Sequence, residues 1–487
     1  MRRTLRMTAA LALAGLVLHG CEHPDNPPDG QNPPPVDPEE TRGQDSRTYT
    51  VDEAALPFTA LSNAPESDRW WGTLEGSGYR IEVPKNWNGM LVMYAHGYAG
   101  TASTLNVSTP SIRRHLLENG YAWAASSYSK NSYDVRAGIE DTNALALAFT
   151  RIASERGRPL EAPRKTYIIG HSMGGHVAAA AIDAETLETA NHKVRYDGAV
   201  PMCGVLGDSE LFNYFAAYGL AAQQLAGYPA SGWPVEDWAL IQPGVKAALF
   251  KTYPTEVTPQ GDKVKQVVKH LTGGERPLFD PGFSGPLARS IQDLLWGTFG
   301  GSGTLDGILN RDGISTVDIQ FQFDADASLS AEEQAFNASI YRVRGDPEAN
   351  RLRRDGLRWI PKTNARISVP VVSLHTLGDL FVPFSMEQIF KRRADAQGTS
   401  QWLVQRAIRG VSHCDFTTAE QVAAFDAMVQ WEQRGLKPQG DEVLDPAVVS
   451  SSSYGCAFTN NTVGPDDPQT TGLIRASIVS AYPCPAR

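Results

Sequence analysis

Positive charge is in short supply in this chain. Lys and Arg number 44 against 54 Asp and Glu among 487 residues, for a formal charge of −10. No Lys/Arg run is longer than the three residues Lys391-Arg392-Arg393, so no basic patch that would hold a phosphate backbone is expected, and nucleic acid is excluded as the expected partner. His, Cys and carboxylates form no metal-ligand cluster along the chain. Asp324-x-Asp326-x-Ser328 lacks the glycine and the terminal glutamate of a calcium loop, and neither metal nor cofactor is expected. No internal repeat is present. The apolar run from Thr8 to Leu18 is too short to cross a bilayer as a stable helix. Cysteine is sparse as well, with five residues in all.

The N-terminus reads as a processing signal over residues 1–20. Arg2, Arg3 and Arg6 form a positive region ahead of the short apolar stretch. Leu18-His19-Gly20-Cys21 resembles a bacterial lipoprotein box, which implies lipidation of Cys21 and a membrane anchor there. His19 departs from the small residue usual at that position, and ordinary secretion with another cleavage site is the alternative. Residues 21–48 hold Pro24, Pro27, Pro28 and Pro33-Pro34-Pro35 among acidic residues. Such a segment buries too little apolar surface to fold and stays extended, which suits a tether. The expected location is the cell envelope, at the periplasmic face or the outer membrane, or outside the cell. Glu22 after the cysteine favours the outer membrane.

Four cysteines remain, and an even number in an exported chain suggests two disulfides, with three possible pairings. Cys203 follows an apolar strand, and Cys414 follows a histidine on a loop at the same rim of a sheet. Cys203–Cys414 is therefore favoured, leaving Cys456–Cys484 to fasten the tail.

Apolar runs alternate with helical patterns, as a doubly wound, mostly parallel sheet requires. Tyr79 to Val83, Met90 to Ala95, Tyr121 to Ser126, Lys165 to Ile169 and Asp197 to Met202 have strand character. Pro110 to Glu118 and Val135 to Glu155 read as helices between them. The alternation resumes at Ile367 to Leu374. A helix near Phe384 to Ala394, a strand near Trp402 to Ile408 and a helix from Thr418 to Arg434 follow, the last opened by the capping box Thr417-Thr418-Ala419-Glu420. The expected division is a core in two parts, 49–204 and 366–437, an insertion at 205–365, and an irregular, disulfide-tied tail at 438–487. An insertion of about 160 residues is too long for a loop and reads as a cap or lid. Its aromatics, among them Trp233, Trp238, Phe250, Tyr253, Trp296 and Phe299, are mostly its own core, with one or two facing the site.

Gly170-His171-Ser172-Met173-Gly174 lies between an apolar strand and a small-residue helix. Strand, Gly-x-Ser-x-Gly, helix is a nucleophile elbow, a strained turn that lifts the serine hydroxyl above a sheet edge. Flanking glycines are needed because a side chain there would meet the neighbouring strand or helix. An acyl-transfer serine needs a base to take its proton and a carboxylate to orient that base. Asp379 follows the resumed strand in Leu377-Gly378-Asp379. Of ten histidines only His413 comes after it, in Gly410-Val411-Ser412-His413-Cys414-Asp415. Asp415 competes weakly with Asp379 and looks like a residue leading into the next helix. Oxyanion donors are expected at the N–H groups of Met173 and of Tyr98, in the loop His96-Gly97-Tyr98-Ala99-Gly100. His96 and His375 are possible pocket residues, and His176 is expected to pack against the sheet.

Together these residues resemble the α/β-hydrolase superfamily, in particular its secreted serine esterases and lipases, over about 79–204 and 367–434. The resemblance implies a Ser172–His413–Asp379 triad. The His96-Gly97 pair differs from the three-glycine loop of one lipase class. The turn Pro84-Lys85-Asn86-Trp87-Asn88-Gly89 looks like one in tannase and feruloyl-esterase relatives, whose elbow carries a cysteine that this chain lacks. The leading expectation is a carboxylic ester hydrolase acting on hydrophobic or aromatic esters, small or polymeric, through an acyl-enzyme. The alternatives are a peptidase or amidase of the same fold, and a catalytically dead surface-binding module.

Overall fold

A computed structural model describes residues 45–485 apart from 286 and 327. The signal, Cys21 and most of the tether lie outside the described residues. Among the described residues no helix is long and apolar enough to cross a membrane.

Eight strands form one central sheet: β1 Ser67–Leu74, β2 Ser77–Pro84, β3 Met90–Ala95, β4 Ala122–Ser126, β5 Lys165–His171, β6 Gly198–Met202, β7 Val371–Thr376 and β8 Leu403–Ile408. Their spatial order is β8-β7-β6-β5-β3-β4-β2-β1. All neighbours from β8 to β4 run parallel, while β2 is antiparallel to both β4 and β1. Parallel strands covered on both faces need continuous apolar sequence. Accordingly every residue of β4, β6, β7 and β8 is buried. β1 (Ser-Asp-Arg-Trp-Trp-Gly-Thr-Leu) is polar and mostly half-exposed, as an edge permits, and its sequence carries no strand signal.

The helices that place the site begin with α1 Val135–Glu155, capped by the Asp134 carboxylate on the Ala137 N–H at 3.1 Å, and α2 Met173–Ala181 directly after the elbow serine. Residues 203–370, between β6 and β7, form the insertion. It includes α3 Glu210–Leu225, α4 Pro259–Leu271 and α5 Phe279–Ser284. Its aromatics make a core of their own: Trp296 is fully buried against Trp238, Phe250 and Phe299 at centroid distances of 5.8, 6.1 and 5.6 Å. After β7 come α6 Ser385–Gln397 and α7 Thr418–Arg434, whose Thr417/Glu420 capping box is formed. The helix expected from Pro110 begins only at Arg113, because residues 110–113 form a turn in which the Pro110 carbonyl accepts from the Arg113 N–H.

The tail differs from expectation. It is not irregular throughout: α8 Gln469–Ala481 packs onto the core, and Cys456–Cys484 closes the segment. Its buried residues are Thr471, Arg475 and Ile478, one stripe with an arginine at the centre, so hydrophobic periodicity does not reveal it. Arg475 is 1 % exposed and grips Glu420 through two hydrogen bonds of 2.8 and 3.0 Å. It also donates to the Asp415 carbonyl and stands 3.6 Å from the Asp415 carboxylate. Removing one partner of a buried ion cluster strands the others without solvent or counter-charge. Arg475→Met is therefore expected to cost about 3–5 kcal/mol of stability, read as a lowered urea midpoint. A midpoint equal to wild type would show that the tail contributes nothing to the core.

Candidate active site

At the carboxyl end of β5 the chain turns sharply into α2. Ser172 occupies φ 57°, ψ −120°, a strained conformation for a residue with a side chain. The glycines around it have no room for a methyl. A Cβ on Gly170 would lie 2.1 Å from the Gly174 carbonyl oxygen, one on Gly174 2.0 Å from that of Ala95, and one on Gly175 2.6 Å from the Gly204 Cα. The pentapeptide spacing thus follows from three backbones in contact.

His413 spans the two other residues of the constellation. Its Nε2 is 2.8 Å from Ser172 Oγ, and its Nδ1 is 2.6 Å from Asp379 Oδ2. The second carboxylate oxygen of Asp379 accepts the N–H groups of Phe381 at 2.9 Å and Val382 at 3.0 Å, which fixes the carboxylate plane. Asp379 is wholly buried and Ser172 nearly so, while His413 is partly open to solvent. Asp415 points away, toward Arg475.

Gly97 lies against the elbow, where a Cβ would stand 3.3 Å from both the His171 carbonyl oxygen and Ser172 Cβ. The following amide is that of Tyr98. Among the described residues neither the Tyr98 nor the Met173 N–H donates to a protein acceptor, so both are free for another one.

Of the two histidines expected to line a pocket, neither presents a free ring edge. His96 stacks on Tyr128 at 4.0 Å, and both its nitrogens face backbone carbonyls, Gly97 at 2.6 Å and Ser127 at 3.1 Å. It holds the glycine loop. His375 is fully buried behind the acid, bonded to the Val382 carbonyl at 2.8 Å and 3.4 Å from Glu387. Burial lowers its pKa, but Glu387, with Asp379 and the Val382 carbonyl, together outweigh burial and hold it above the ordinary value. His176 bridges rather than simply packing: Tyr133 Oη lies 2.9 Å from one nitrogen and the Pro361 carbonyl of the insertion 2.7 Å from the other.

Cys203 and Cys414 are joined, across 211 residues of sequence. The bond ties the end of β6, beside the elbow, to the residue after His413, and Cys414 Sγ lies 3.4 Å from His413 Nε2. The two sulfurs and the imidazole cluster as metal ligands do. Bonded to each other, the sulfurs are not the thiolates a zinc site requires.

Two residues at the site escaped sequence reasoning. Phe381 stands edge-on to His413 at 5.5 Å and stacks at 5.6 Å on Phe215 of the insertion. His171, inside the elbow motif, is bonded to Gln421 at 2.9 Å. Burial pushes its imidazole down to about 4, opposed by Gln421 and reinforced by the neighbouring His413.

No protein-family model matches the chain. A curated relative, an o-phthalyl amidase from Xanthobacter agilis, is 23% identical over 434 residues, covering 78% of this chain and 90% of its own. Among solved structures, feruloyl esterase B from Aspergillus oryzae is similar with a TM-score of 0.42 and 14% identity, over 79% of this chain and 86% of its own. Candida antarctica lipase A gives 0.35 and 12%, over 83% and 81%. Acylaminoacyl peptidase from Pyrococcus horikoshii gives 0.35 and 9%, over 80% and 44%. At these scores the likenesses add nothing to the topology already described.

The depressed His171 gives a pH test. Near pH 7 it is neutral in both folded and unfolded chains. As pH falls from about 6.5 toward about 4 the unfolded chain takes up a proton that the folded one refuses, so stability is lost over that window. Between about pH 7 and about pH 5, wild type is expected to lose about 2 kcal/mol more than His171→Gln in urea unfolding. Equal losses would mean that His171 is charged in the folded protein. The sheet order, the elbow after β5 and the acid-then-histidine order make this an α/β-hydrolase fold, and with the amidase relative they support a serine hydrolase of that fold.

Proposed function

We propose that the protein hydrolyses carboxylic esters through an acyl-enzyme on Ser172. The observation that carries this reading is the unbroken Ser172–His413–Asp379 hydrogen-bond chain at a left-handed elbow. As Ser172 Oγ attacks the substrate carbonyl, its proton passes to His413 Nε2. Asp379 keeps the Nδ1–H tautomer in place and stabilises the imidazolium that forms. The Tyr98 and Met173 amides face the developing oxyanion, an effect of about 3 kcal/mol for each donor. His413 returns the proton to the leaving group, then activates the water that releases the acid.

Phe381 and Phe215 supply an apolar wall beside the base, which suits a hydrophobic or aromatic ester. Cleavage of amides is the second reading, favoured by the amidase relative, since the same triad serves both leaving groups. The protein works outside the cytoplasm, lipid-anchored through Cys21 or released. The two disulfides support an oxidising compartment.

A fluorophosphonate probe is expected to label the wild type and not Ser172→Ala, with kcat on p-nitrophenyl butyrate falling by a factor of about 10⁴ or more. An intact protein that fails to label would favour a binding module instead. Turnover of an aminoacyl or aroyl p-nitroanilide above that of the matched ester would replace the esterase reading with the amidase one. Phe381→Ala is expected to raise KM about tenfold for benzoyl over acetyl esters, the value of one aromatic contact. An unchanged ratio would remove Phe381 from the acyl site.

A further inference from the structure

We infer that the insertion is a clamp on the catalytic acid: Tyr214 and Arg276, both from the insertion, act with His375 as positioning residues that hold the loop carrying Asp379. This rests on the triad reading above.

Asp379 sits on the loop between β7 and α6, and three of that loop's backbone carbonyls are held from outside it. Each is taken by a buried side chain. Arg276 Nε donates to the Leu377 carbonyl at 2.8 Å, Tyr214 Oη to that of Leu380 at 2.9 Å, and His375 Nε2 to that of Val382 at 2.8 Å. Leu377, Leu380 and Val382 bracket Asp379 on both sides. Only His375 belongs to the sheet. Tyr214 lies on α3 and Arg276 between α4 and α5.

Arg276 is a costly residue to use as a mere filler. It is 3 % exposed, and among the described residues no carboxylate pairs with it. Its remaining bonds go to the Gly274 carbonyl at 2.9 Å and Thr272 Oγ1 at 3.2 Å. Burial pushes its pKa down to about 10, against the fields of Tyr214, Glu275 and Asp379, so it stays charged at neutral pH. A buried cation needs compensation from somewhere. Here a main-chain carbonyl of the acid loop and the nearby Asp379 carboxylate supply part of it.

Contact between the two segments is also steric. A Cβ on Gly282 of α5 would fall 2.2 Å from the Gly378 carbonyl oxygen, and one on Gly378 would lie 2.9 Å from the Leu278 carbonyl oxygen. The Ser385 N–H at the start of α6 donates to the Thr272 carbonyl at 3.0 Å. Insertion and acid loop meet backbone to backbone, so this end of the insertion cannot lift away without releasing Asp379. A shift of a fraction of an ångström at Asp379 turns His413 away from Ser172, and misalignment on that scale is paid in kcat.

The test is a double-mutant cycle on the full-length protein, with p-nitrophenyl butyrate turnover and thermal melts measured together. Tyr214→Phe keeps the ring and removes one hydroxyl; Arg276→Lys keeps the charge and loses the fork. Each is expected to lower kcat about tenfold, one hydrogen bond's worth of alignment, with KM little changed. In an Asp379→Ala background the same substitutions are expected to lower kcat no further. Folded Tyr214→Phe with wild-type kcat, or an equal loss in both backgrounds, would overturn the clamp. Wild-type kcat in Asp379→Ala alone would instead overturn the triad reading beneath it.

Discussion

Three main-chain segments meet at the elbow with no side chain between them. Ala95 at the end of β3, the Gly170-to-Gly175 turn and Gly204 after β6 approach so closely that a methyl on any of the three elbow glycines would overlap backbone. This contact sets the height of Ser172 above the sheet and forces its left-handed backbone. It also brings the Gly97 loop against Ser172. Everything else in the site has to be delivered to that fixed point.

Delivery is made by two loops, and each is braced by a part of the chain outside the sheet. The acid loop after β7 is gripped by Tyr214, Arg276 and α5 of the insertion, together with His375 from the strand below. The histidine loop after β8 is gripped by the disulfide to Cys203 and by Arg475 of α8, which reaches the Asp415 carbonyl and the Glu420 cap of α7. A loop offers few apolar contacts of its own, so its position depends on groups that satisfy its backbone. Buried polar side chains do this here, at the cost of burying Arg276, Arg475 and His375.

Much of this was legible from sequence, and the reason is local. A parallel strand covered on both faces is mostly apolar, so β3, β4 and β6 read as near-continuous runs, while β7 and β8 carry buried Ser373, His375, Gln405 and Arg406 within theirs. The elbow is a contiguous pentapeptide, and the capping box of α7 is contiguous too. Ser172, Asp379 and His413 could be ordered along the chain because only one histidine follows the acid. The edge strand β1 was invisible because an exposed edge tolerates Ser, Asp and Arg. Helix α8 was invisible because its buried stripe centres on an arginine.

By itself the sequence determined the fold class and singled out Ser172, Asp379 and His413 as a candidate triad, since each is encoded in short-range pattern. Apart from the Cys203–Cys414 disulfide, only the tertiary structure decided what holds the Asp379 and His413 loops in line. The partners involved are Tyr214 with Leu380, Arg276 with Leu377, Arg475 with Asp415 and Phe215 with Phe381, pairs far apart along the chain. Nothing in a tyrosine or an arginine read along the chain says which distant carbonyl it will satisfy, because that is settled when the backbone groups of the two loops are buried and must find donors.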